Sequence, residues 1–272
     1  MRVLFIDQYS ELGGAQRCLL DLLPVVLDAG WEAHVAIPGD GPLAKSIASL
    51  GVSLHLIPDT RLSAGHKSWR DILNFTRHLP RLAAAITDLV LRCDADLVYV
   101  NGSRVLPAAS LAAGGAVRKG IARKSLPVLF HSHNRLRQRA DRWVATRAIR
   151  HCNATVVGCC RFALEPLERH VRPGRAHLVY NGTARPEPTD SRAARKAGLT
   201  IGVIGCISAD KGQKEFLQAT HRISAVLPDC RFLVYGDALF GDQQAIQYRD
   251  SLRTLAEGLP VEFLGWRRDV AS

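Results

Sequence analysis

Close to the start of the sequence lies the stretch Val3-Leu4-Phe5-Ile6-Asp7, followed after three further residues by Glu11-Leu12-Gly13-Gly14-Ala15-Gln16. The first stretch is a run of large apolar residues that stops at an acid, which is typical of a strand buried on both faces. Two glycines then allow a tight turn, and the apolar residues of Ala15–Ala29 recur with the period of a helix. A strand, a glycine turn and a helix in this order predict the first βα unit of a parallel sheet.

The same alternation of short apolar runs and longer helical stretches continues to residue 182. It predicts strands at Val3–Asp7, Ala33–Pro38, Ser53–Ile57, Asp96–Asn101, Pro127–His131, Thr155–Gly158 and His177–Tyr180. It predicts helices at Ala15–Ala29, Pro42–Leu50, Trp69–Leu91, Leu106–Val117, Arg137–His151 and Phe162–His170. We therefore expect a seven-stranded, doubly wound parallel sheet in a first α/β domain, residues 1–182.

A second βα series follows a segment with the composition of a linker. Residues 183–198 contain two prolines, four basic residues and few large apolar groups, which is typical of a linker. Beyond them, strands are predicted at Thr200–Gly205, Arg231–Tyr235 and Val261–Leu264, and helices at Gln213–Val226 and Gln243–Glu257. We expect a second Rossmann-like domain at residues 199–272, incomplete because such sheets usually have about five or more strands.

Composition favours a folded protein of two domains. Of the 272 residues, 47% are apolar and 22% are charged, which is enough apolar material for packed cores. No apolar run approaches the roughly 20 residues that span a bilayer, and the first apolar stretch is too short for a signal peptide. The seven cysteines are odd in number and lack a C-x-x-C pair, so we expect reduced thiols and a cytoplasmic protein.

The net charge of +11 is concentrated in one part of the chain. Residues 118–177 contain fourteen Lys and Arg against three acids, whereas the rest is balanced. Such a segment attracts nucleic acid, an anionic membrane or phosphate-bearing substrates. Only 6% of the residues are aromatic and no nucleic-acid-binding motif is visible, which disfavours a nucleic-acid partner. A nicotinamide-dependent dehydrogenase is disfavoured because neither βα series has G-x-G-x-x-G followed by an acid.

Ligands of open α/β sheets bind beyond the carboxyl ends of the strands, where two candidate groups lie in the first domain. Gly13 and Gly14 let the backbone approach a phosphate at the start of a helix; a purely structural turn is the alternative. His131 and His133 extend from the fifth strand on the same side. An imidazole there either donates to a substrate hydroxyl or phosphate or hydrogen-bonds a loop.

Two further candidate residues lie at the carboxyl ends of strands in the second domain. Lys211, directly before Gly212, can place an ammonium group against a diphosphate; a solvated surface lysine is the alternative. Gly236, in Tyr235-Gly236-Asp237, permits close approach of the backbone to a ligand; an ordinary βα turn is the alternative.

These stretches also carry a resemblance to a known family. The sequence resembles glycosyltransferases of the GT-B fold, in particular the large retaining group called family 4. The stretches with this order and spacing are Gly13-Gly14-Ala15-Gln16, Gly39-Asp40-Gly41-Pro42-Leu43, His131-Ser132-His133-Asn134, Tyr180-Asn181-Gly182, Lys211-Gly212, Tyr235-Gly236-Asp237 and Phe263-Leu264-Gly265. The resemblance runs along the whole chain and implies two Rossmann-like domains, the first binding the acceptor and the second the nucleotide-diphospho sugar.

The resemblance also implies roles for individual residues. It implies that Gly13, Gly14, Lys211 and Gly236 bind the donor diphosphate and that His133 is the catalytic residue near the transferred sugar. It implies neither a metal ion nor a cofactor besides the donor, because positive charge and helix dipoles stabilise the leaving group.

Two departures from the family pattern bear on activity. Cys206 stands where the family has an arginine, and the family's Glu-x7-Glu motif would lie beyond Ser272. We therefore expect a C-terminally truncated donor site that binds a sugar nucleotide weakly and turns over slowly or not at all.

The segment after the fifth strand predicts a basic amphipathic helix. At 100° per residue, Arg135, Arg139 and Arg142 share one side, whereas Leu136 and Trp143 share another. This pattern predicts an acceptor or membrane surface, at which each basic residue contributes about 1 kcal/mol of attraction to anionic lipid. An ordinary helix with solvated arginines is the alternative.

The resemblance to family 4 implies a retaining, metal-independent glycosyltransferase of the hexosyltransferase type. We expect it to transfer a sugar from a nucleotide-diphospho sugar to a glycan or lipid-linked acceptor in polysaccharide biosynthesis, peripherally on the inner face of the membrane. The alternative is a catalytically incomplete homologue that acts as a binding or scaffold protein.

Overall fold

The computed structural model of the protein describes residues 1–59, 69–118, 126–182, 199–238 and 243–267. The predicted linker at residues 183–198 lies outside these ranges. The chain divides into two compact units, Met1–Thr183 and Ala184–Ser272.

The first unit contains a seven-stranded parallel sheet covered by helices on both faces, which confirms the predicted doubly wound α/β domain. The strands are β1 (Arg2–Asp7), β2 (Glu32–Ile37), β3 (Ser53–Leu56), β4 (Leu97–Asn101), β5 (Val128–Ser132), β6 (Thr155–Gly158) and β7 (Ala176–Leu178). The helices are α1 (Gly14–Asp28), α2 (Pro42–Ser49), α3 (Trp69–Arg92), α4 (Leu106–Arg118), α5 (Arg139–Cys152) and α6 (Arg161–Glu168).

Both faces of β1 are buried, because successive side chains of a strand point to opposite faces of the sheet. Val3 and Phe5 pack in the core formed with α1 and α2. Leu4 and Ile6, on the opposite face, pack in the core formed with α3, α4, α5 and α6. Because both faces of β1 are covered, its sequence is continuously apolar rather than alternating.

The strand order places a switch point between β1 and β4. The order is β3-β2-β1-β4-β5-β6-β7, so consecutive strands are added on one side of β1 and then on the other. The register pairs Asp7, the last residue of β1, with Asn101, the last residue of β4. Open α/β sheets bind their ligands at this kind of position.

The second unit is smaller and repeats the βα pattern. Its elements are β8 (Thr200–Ile204), α7 (Gln213–Ser224), β9 (Arg231–Tyr235), α8 (Gln243–Leu255) and β10 (Val261–Gly265). The three strands form a parallel sheet in the order β10-β9-β8, which confirms the three predicted strands. Ile207, Leu217 and Leu252 form a buried cluster in this unit, and Phe232 and Val234 of β9 are buried as well.

The predicted helix Arg137–His151 is present as α5, but Arg135 and the apolar side of the basic pattern were assigned wrongly. Helix α5 begins at Arg139, so Arg135 precedes it. Leu136 is buried in the core before the helix begins, and Trp143 is 63% exposed. The side of α5 that packs inward consists of Ala145, Thr146, Ala148 and Ile149.

Two global expectations concern membranes and cysteines. Within the described ranges, no helix combines the length and the apolar character that crossing a bilayer requires. All seven cysteines are free, as expected from their number and spacing.

Candidate functional site

The site at the switch point is organised around the buried carboxyl group of Asp7, which is 0% exposed. Its Oδ2 accepts a hydrogen bond from Asn101 Nδ2 at 2.6 Å. Its Oδ1 accepts from Gln16 Nε2 at 2.8 Å and from the Tyr9 backbone N–H at 2.9 Å. Burial raises the pKa of Asp7 to about 6, against the lowering effect of these donors. The carboxyl group is therefore ionised at neutral pH and acts only as an acceptor.

The side-chain amide of Asn101 connects Asp7 to His133 and determines the protonated nitrogen of that imidazole. The Nδ2 group of Asn101 donates both to Asp7 and to the Ala15 carbonyl oxygen, the latter at 3.1 Å. Its Oδ1 therefore faces the imidazole of His133, 2.7 Å from Nε2. Because an amide oxygen can only accept, His133 carries its proton on Nε2, and Nδ1 is the unprotonated nitrogen.

His131 packs beside His133, and both rings are neutral. Their ring centroids are 3.9 Å apart, on the same side of the chain as strand alternation predicts. The Tyr99 hydroxyl and His131 Nδ1 share a hydrogen bond of 2.5 Å. Burial lowers the pKa of His131 to about 4, and burial together with His131 lowers the pKa of His133 to about 3.

Two nitrogens of this histidine pair are buried without a hydrogen-bond partner among the described residues: His131 Nε2 and His133 Nδ1. Buried polar atoms are nearly always paired, so an unpaired nitrogen at the carboxyl end of a strand is a candidate ligand contact. On His133 the unpaired nitrogen is Nδ1, which is a hydrogen-bond acceptor because Nε2 carries the proton.

The Gly13–Gly14 turn joins the same hydrogen-bonded chain. Gly13 is the N-cap of α1, and its backbone N–H donates to Gln16 Oε1 at 3.1 Å. Gln16 in turn donates to Asp7. Gly13 has no side chain to cap the first-turn N–H groups, which leaves the positive end of the helix dipole open to an anion. A Cβ added at Gly14 would meet no atom within 4 Å, so packing within the chain does not require glycine there.

The structure therefore brings Gly13, Gly14 and His133 together at one edge of the sheet, linked through Gln16, Asp7 and Asn101. No role was predicted from the sequence for Asp7, Asn101 or Tyr99. A signal was present at two of them, because Asp7 and Asn101 are polar residues that end apolar strands and are paired in register.

In the second unit, Lys211 and Gly236 lie at the carboxyl ends of β8 and β9. Lys211 is exposed and directly precedes Gly212, the N-cap of α7. Gly236 has a φ of +133°, and a Cβ there would overlap the Gly205 carbonyl oxygen. Conformation and packing are thus sufficient reasons for glycine at this position, and its contact with a diphosphate stays a prediction.

Cys206 occupies the position at which the family resemblance implies an arginine. Its side chain is half-buried, and its carbonyl oxygen accepts a hydrogen bond from Gln213 Nε2 at 3.0 Å. Gln213 is buried at the start of α7, and its Oε1 has no partner among the described residues. The start of α7 in the second unit therefore has a buried acceptor, Gln213 Oε1, and the exposed ammonium group of Lys211 lies two residues before it in the sequence.

Arg135 is held by helix α6. Its Nη1 lies 2.6 Å from Glu165 Oε2, and its guanidinium lies 4.5 Å from the centre of the Phe162 ring. The hydrogen bond from Arg135 lowers the pKa of Glu165, so the pair is charged at neutral pH. Arg135 is thus an ion-pair partner that precedes the helix.

Arg139 and Arg142 belong to α5 itself, and beside them Trp143 is exposed with the Arg147 guanidinium 5.5 Å from the centre of its ring. We call Arg139, Arg142, Trp143 and Arg147 the α5 surface.

Comparisons with known proteins agree with this architecture. HepE of Anabaena in complex with UDP-glucose is 23% identical, with a TM-score of 0.75 over 100% of this chain and 70% of HepE. A glycosyltransferase from Rickettsia africae is 14% identical, with a TM-score of 0.67 over 99% of this chain and 69% of that one. MurG of Acinetobacter baumannii is 15% identical, with a TM-score of 0.54 over 99% and 69%. At these identities the likeness shows the fold, which is GT-B.

A search of the curated proteins found no match to the sequence. The family model described as Glycosyltransferase Family 4 matches residues 12–184, which is more than half of the chain and includes the Gly13–Gly14 turn, Asn101 and His133. The chain therefore belongs to Glycosyltransferase Family 4.

Proposed function

We propose that the protein transfers a sugar from a nucleotide-diphospho sugar to a glycan or lipid-linked acceptor, with retention of the anomeric configuration and without a metal ion at the reacting centre. Membership of the family supplies the reaction class. HepE, which has the same fold, is described in complexes with UDP and with UDP-glucose, and this supports the donor class.

The observation that carries the proposal is the hydrogen-bonded chain from the Gly13–Gly14 turn to His133 at the switch point. Its members lie where open α/β sheets bind ligands, and they leave two kinds of group unused: first-turn N–H groups of α1 and the Nδ1 acceptor of His133. An anion matches the first group, and a hydroxyl matches the second. A sugar linked to a diphosphate carries both.

In the proposed reaction the positive end of α1 in the first unit stabilises the departing nucleoside diphosphate. For the second unit, taken by itself, we propose that the ammonium group of Lys211 binds a diphosphate. The start of a helix carries partial positive charge and an ammonium group a full one, and either stabilises negative charge on a phosphate. His133 Nδ1 accepts a hydrogen bond from a hydroxyl of the transferred sugar. This contact needs donor binding to open access to Nδ1, because the atom is buried.

The Gly14→Ala variant tests this proposal. The methyl group meets no atom of the chain within 4 Å, and alanine in place of helical glycine stabilises folding by about 0.5–1 kcal/mol. We therefore expect unchanged or higher stability together with at least tenfold weaker binding of UDP-glucose, or of the sugar nucleotide that a donor panel selects. Titration calorimetry and circular dichroism measure the two effects.

Gly115→Ala is the matched control, because Gly115 lies in α4 with only an ordinary contact at 3.8 Å. Equal donor affinity for Gly14→Ala and the wild type would contradict the proposed phosphate contact. Retention is tested by NMR of the product anomer, and metal independence by the reaction rate in EDTA.

A binding or scaffold role without turnover is the second candidate, and Cys206 favours it. A half-buried thiol in place of a cation leaves the diphosphate with less positive charge. Under this alternative the protein binds the donor without releasing product, and Cys206→Arg raises donor affinity. Transfer by the unaltered chain would exclude it.

For its location we propose peripheral contact with an anionic membrane through the α5 surface. Three arginines surround an exposed tryptophan there, and such a combination binds the interface of anionic bilayers. A lipid-linked acceptor would then be presented to the first unit.

A further inference from the structure

A second group of chemically active side chains lies in the first unit at the opposite side of the sheet from β5. It consists of His34 on β2, His55 on the edge strand β3, and Cys93 immediately after α3. Nothing in the proposed transfer reaction uses these residues. One ligand atom from each residue lies within 4.8 Å of those of the other two.

The fold explains why these residues meet. The register of β2 and β3 pairs His34 with Ser53 and Ala36 with His55, so the two histidines share one face of neighbouring strands. Ala36 on that face packs in the core formed with α3, which brings the end of α3 and Cys93 over the same face. His34 and Cys93 are buried, whereas His55 is half-exposed.

Two of the three distances match the edges of a tetrahedral zinc site, and the third, between His34 Nδ1 and Cys93 Sγ, is at most 4.8 Å. His34 Nδ1 and His55 Nε2 are 3.3 Å apart, and Cys93 Sγ lies 3.7 Å from His55 Nε2. Zinc bonds of about 2.0 Å to nitrogen and about 2.3 Å to sulfur place two nitrogens about 3.3 Å apart and a nitrogen and a sulfur about 3.5 Å apart. One ion can therefore contact these three atoms after only small side-chain movements.

A carboxylate behind the cluster sets the correct tautomer of His34. Glu32 Oε1 lies 3.0 Å from His34 Nε2 and accepts a hydrogen bond from its N–H group. The lone pair of His34 is then on Nδ1, which faces His55. Histidines that bind metals usually donate their other N–H to a carboxylate in this way.

We propose that His34 Nδ1, His55 Nε2 and Cys93 Sγ bind one Zn²⁺ ion, with water as the fourth ligand. On binding, the Cys93 thiol loses its proton to solvent, and His55 carries its ring proton on Nδ1 instead of Nε2. One proton is thus released for each ion bound. The ion joins β2, the edge strand β3 and the end of α3, so it stabilises the first unit and takes no part in sugar transfer.

The test uses the full chain, purified with a non-thiol reductant and stripped of metal. Zn²⁺ is titrated against a chromophoric chelator, and Co²⁺ serves as a spectroscopic probe. We expect one ion per chain, a thiolate-to-cobalt charge-transfer band, visible bands of tetrahedral Co²⁺, and a higher melting temperature with Zn²⁺. Glu32→Gln should weaken Zn²⁺ binding about 10- to 100-fold. Cys93→Ser and His55→Gln should weaken it further.

Matched controls separate this site from general binding to thiols and imidazoles. Cys230→Ser removes another buried cysteine, and His177→Gln removes an exposed histidine; both should bind Zn²⁺ as the wild type does. Equal affinity in Cys93→Ser and Cys230→Ser, or a Co²⁺ spectrum without the thiolate band, would overturn the proposal. Binding of Cu⁺ with no binding of Zn²⁺ would also overturn it.

Discussion

Asn101 accepts a hydrogen bond from His133 at 2.7 Å, and this contact determines which nitrogen of the imidazole carries the proton. The orientation of Asn101 is itself set by Asp7, which accepts from its amide group at 2.6 Å. A buried carboxylate therefore controls the tautomer of a histidine that it does not touch. Such control matters at a binding site because the two tautomers exchange a donor for an acceptor at each nitrogen.

The first prediction concerns this tautomer. Nitrogen-15 NMR of histidine-labelled protein should show His133 protonated on Nε2 and unprotonated on Nδ1 between about pH 5 and pH 8, since its pKa is about 3. In Asn101→Ala the ring loses its acceptor, and both tautomers should be populated. A His133 resonance with the proton on Nδ1 in the unaltered protein would contradict the hydrogen-bonded chain.

The second prediction concerns pH and stability. Because the pKa values of His131 and His133 are lowered from 6.5 to about 4 and about 3, the unfolded chain binds protons there that the folded chain does not. Stability should therefore be full above about pH 6.5 and fall as the pH decreases through the folded-state values. Asp7 acts in the opposite direction below about pH 6, because its folded pKa is raised from 3.8.

The net effect is a loss of stability on acidification, and His133→Gln isolates one part of it. The loss of unfolding free energy between pH 7 and pH 5 should be smaller in this variant by about 1–2 kcal/mol. Urea unfolding followed by circular dichroism at both pH values measures it. An identical loss in the variant and the wild type would show that His133 is not held neutral.

The third prediction concerns Lys211. Lys211→Gln removes an exposed charge, so stability should change by less than about 0.5 kcal/mol. Donor affinity should fall about tenfold, because the diphosphate loses a cation. Lys214→Gln removes another exposed charge three residues further on, within α7, and is the matched control. Calorimetry that shows the same affinity for both variants would exclude Lys211 from the donor site.

The fourth prediction concerns Gly236. Its φ of +133° is unfavourable for an L-residue, and a Cβ would overlap the Gly205 carbonyl oxygen. Gly236→Ala should therefore destabilise the second unit by about 3 kcal/mol or more. Gly202→Ala, in the neighbouring strand β8, adds only an ordinary contact at 3.5 Å and should cost much less. Hydrogen exchange of the second unit compares the two variants.

The fifth prediction concerns the α5 surface. Vesicles of anionic lipid should bind the protein, binding should weaken with salt, and Trp143→Ala or Arg139→Gln should reduce the bound fraction. Trp31→Ala is the control, since Trp31 is 40% exposed in the same unit but outside this surface. Equal binding of neutral and anionic vesicles would contradict an electrostatic contribution.

Most of the architecture could be predicted because burial on both faces leaves a clear pattern in parallel strands. Every predicted strand is present, with ends shifted by at most two residues. The sides of the helix after β5 were assigned wrongly because its period was counted from Arg135. That residue is held by Glu165 and Phe162 outside the helix, and periodicity alone does not show where a helix begins.

The chemistry of the edge was harder to predict than the fold. His133 and the two glycines were visible as residues that follow strands, but the roles of Asp7 and Asn101 depend on a register that pairs positions 94 residues apart. The cluster of His34, His55 and Cys93 escaped for the same reason. Its members are 21 and 38 residues apart, which matches no short metal-binding motif.

The hydrogen bonds that link Asp7, Asn101 and His133 have a consequence for directed evolution of this enzyme class. Replacing any one of the three disturbs the same proton arrangement, so their mutational effects should be strongly non-additive. Libraries that aim at a new donor sugar should therefore leave codons 7, 101 and 133 unchanged. Diversity then belongs in the neighbouring positions that shape the space around these three residues.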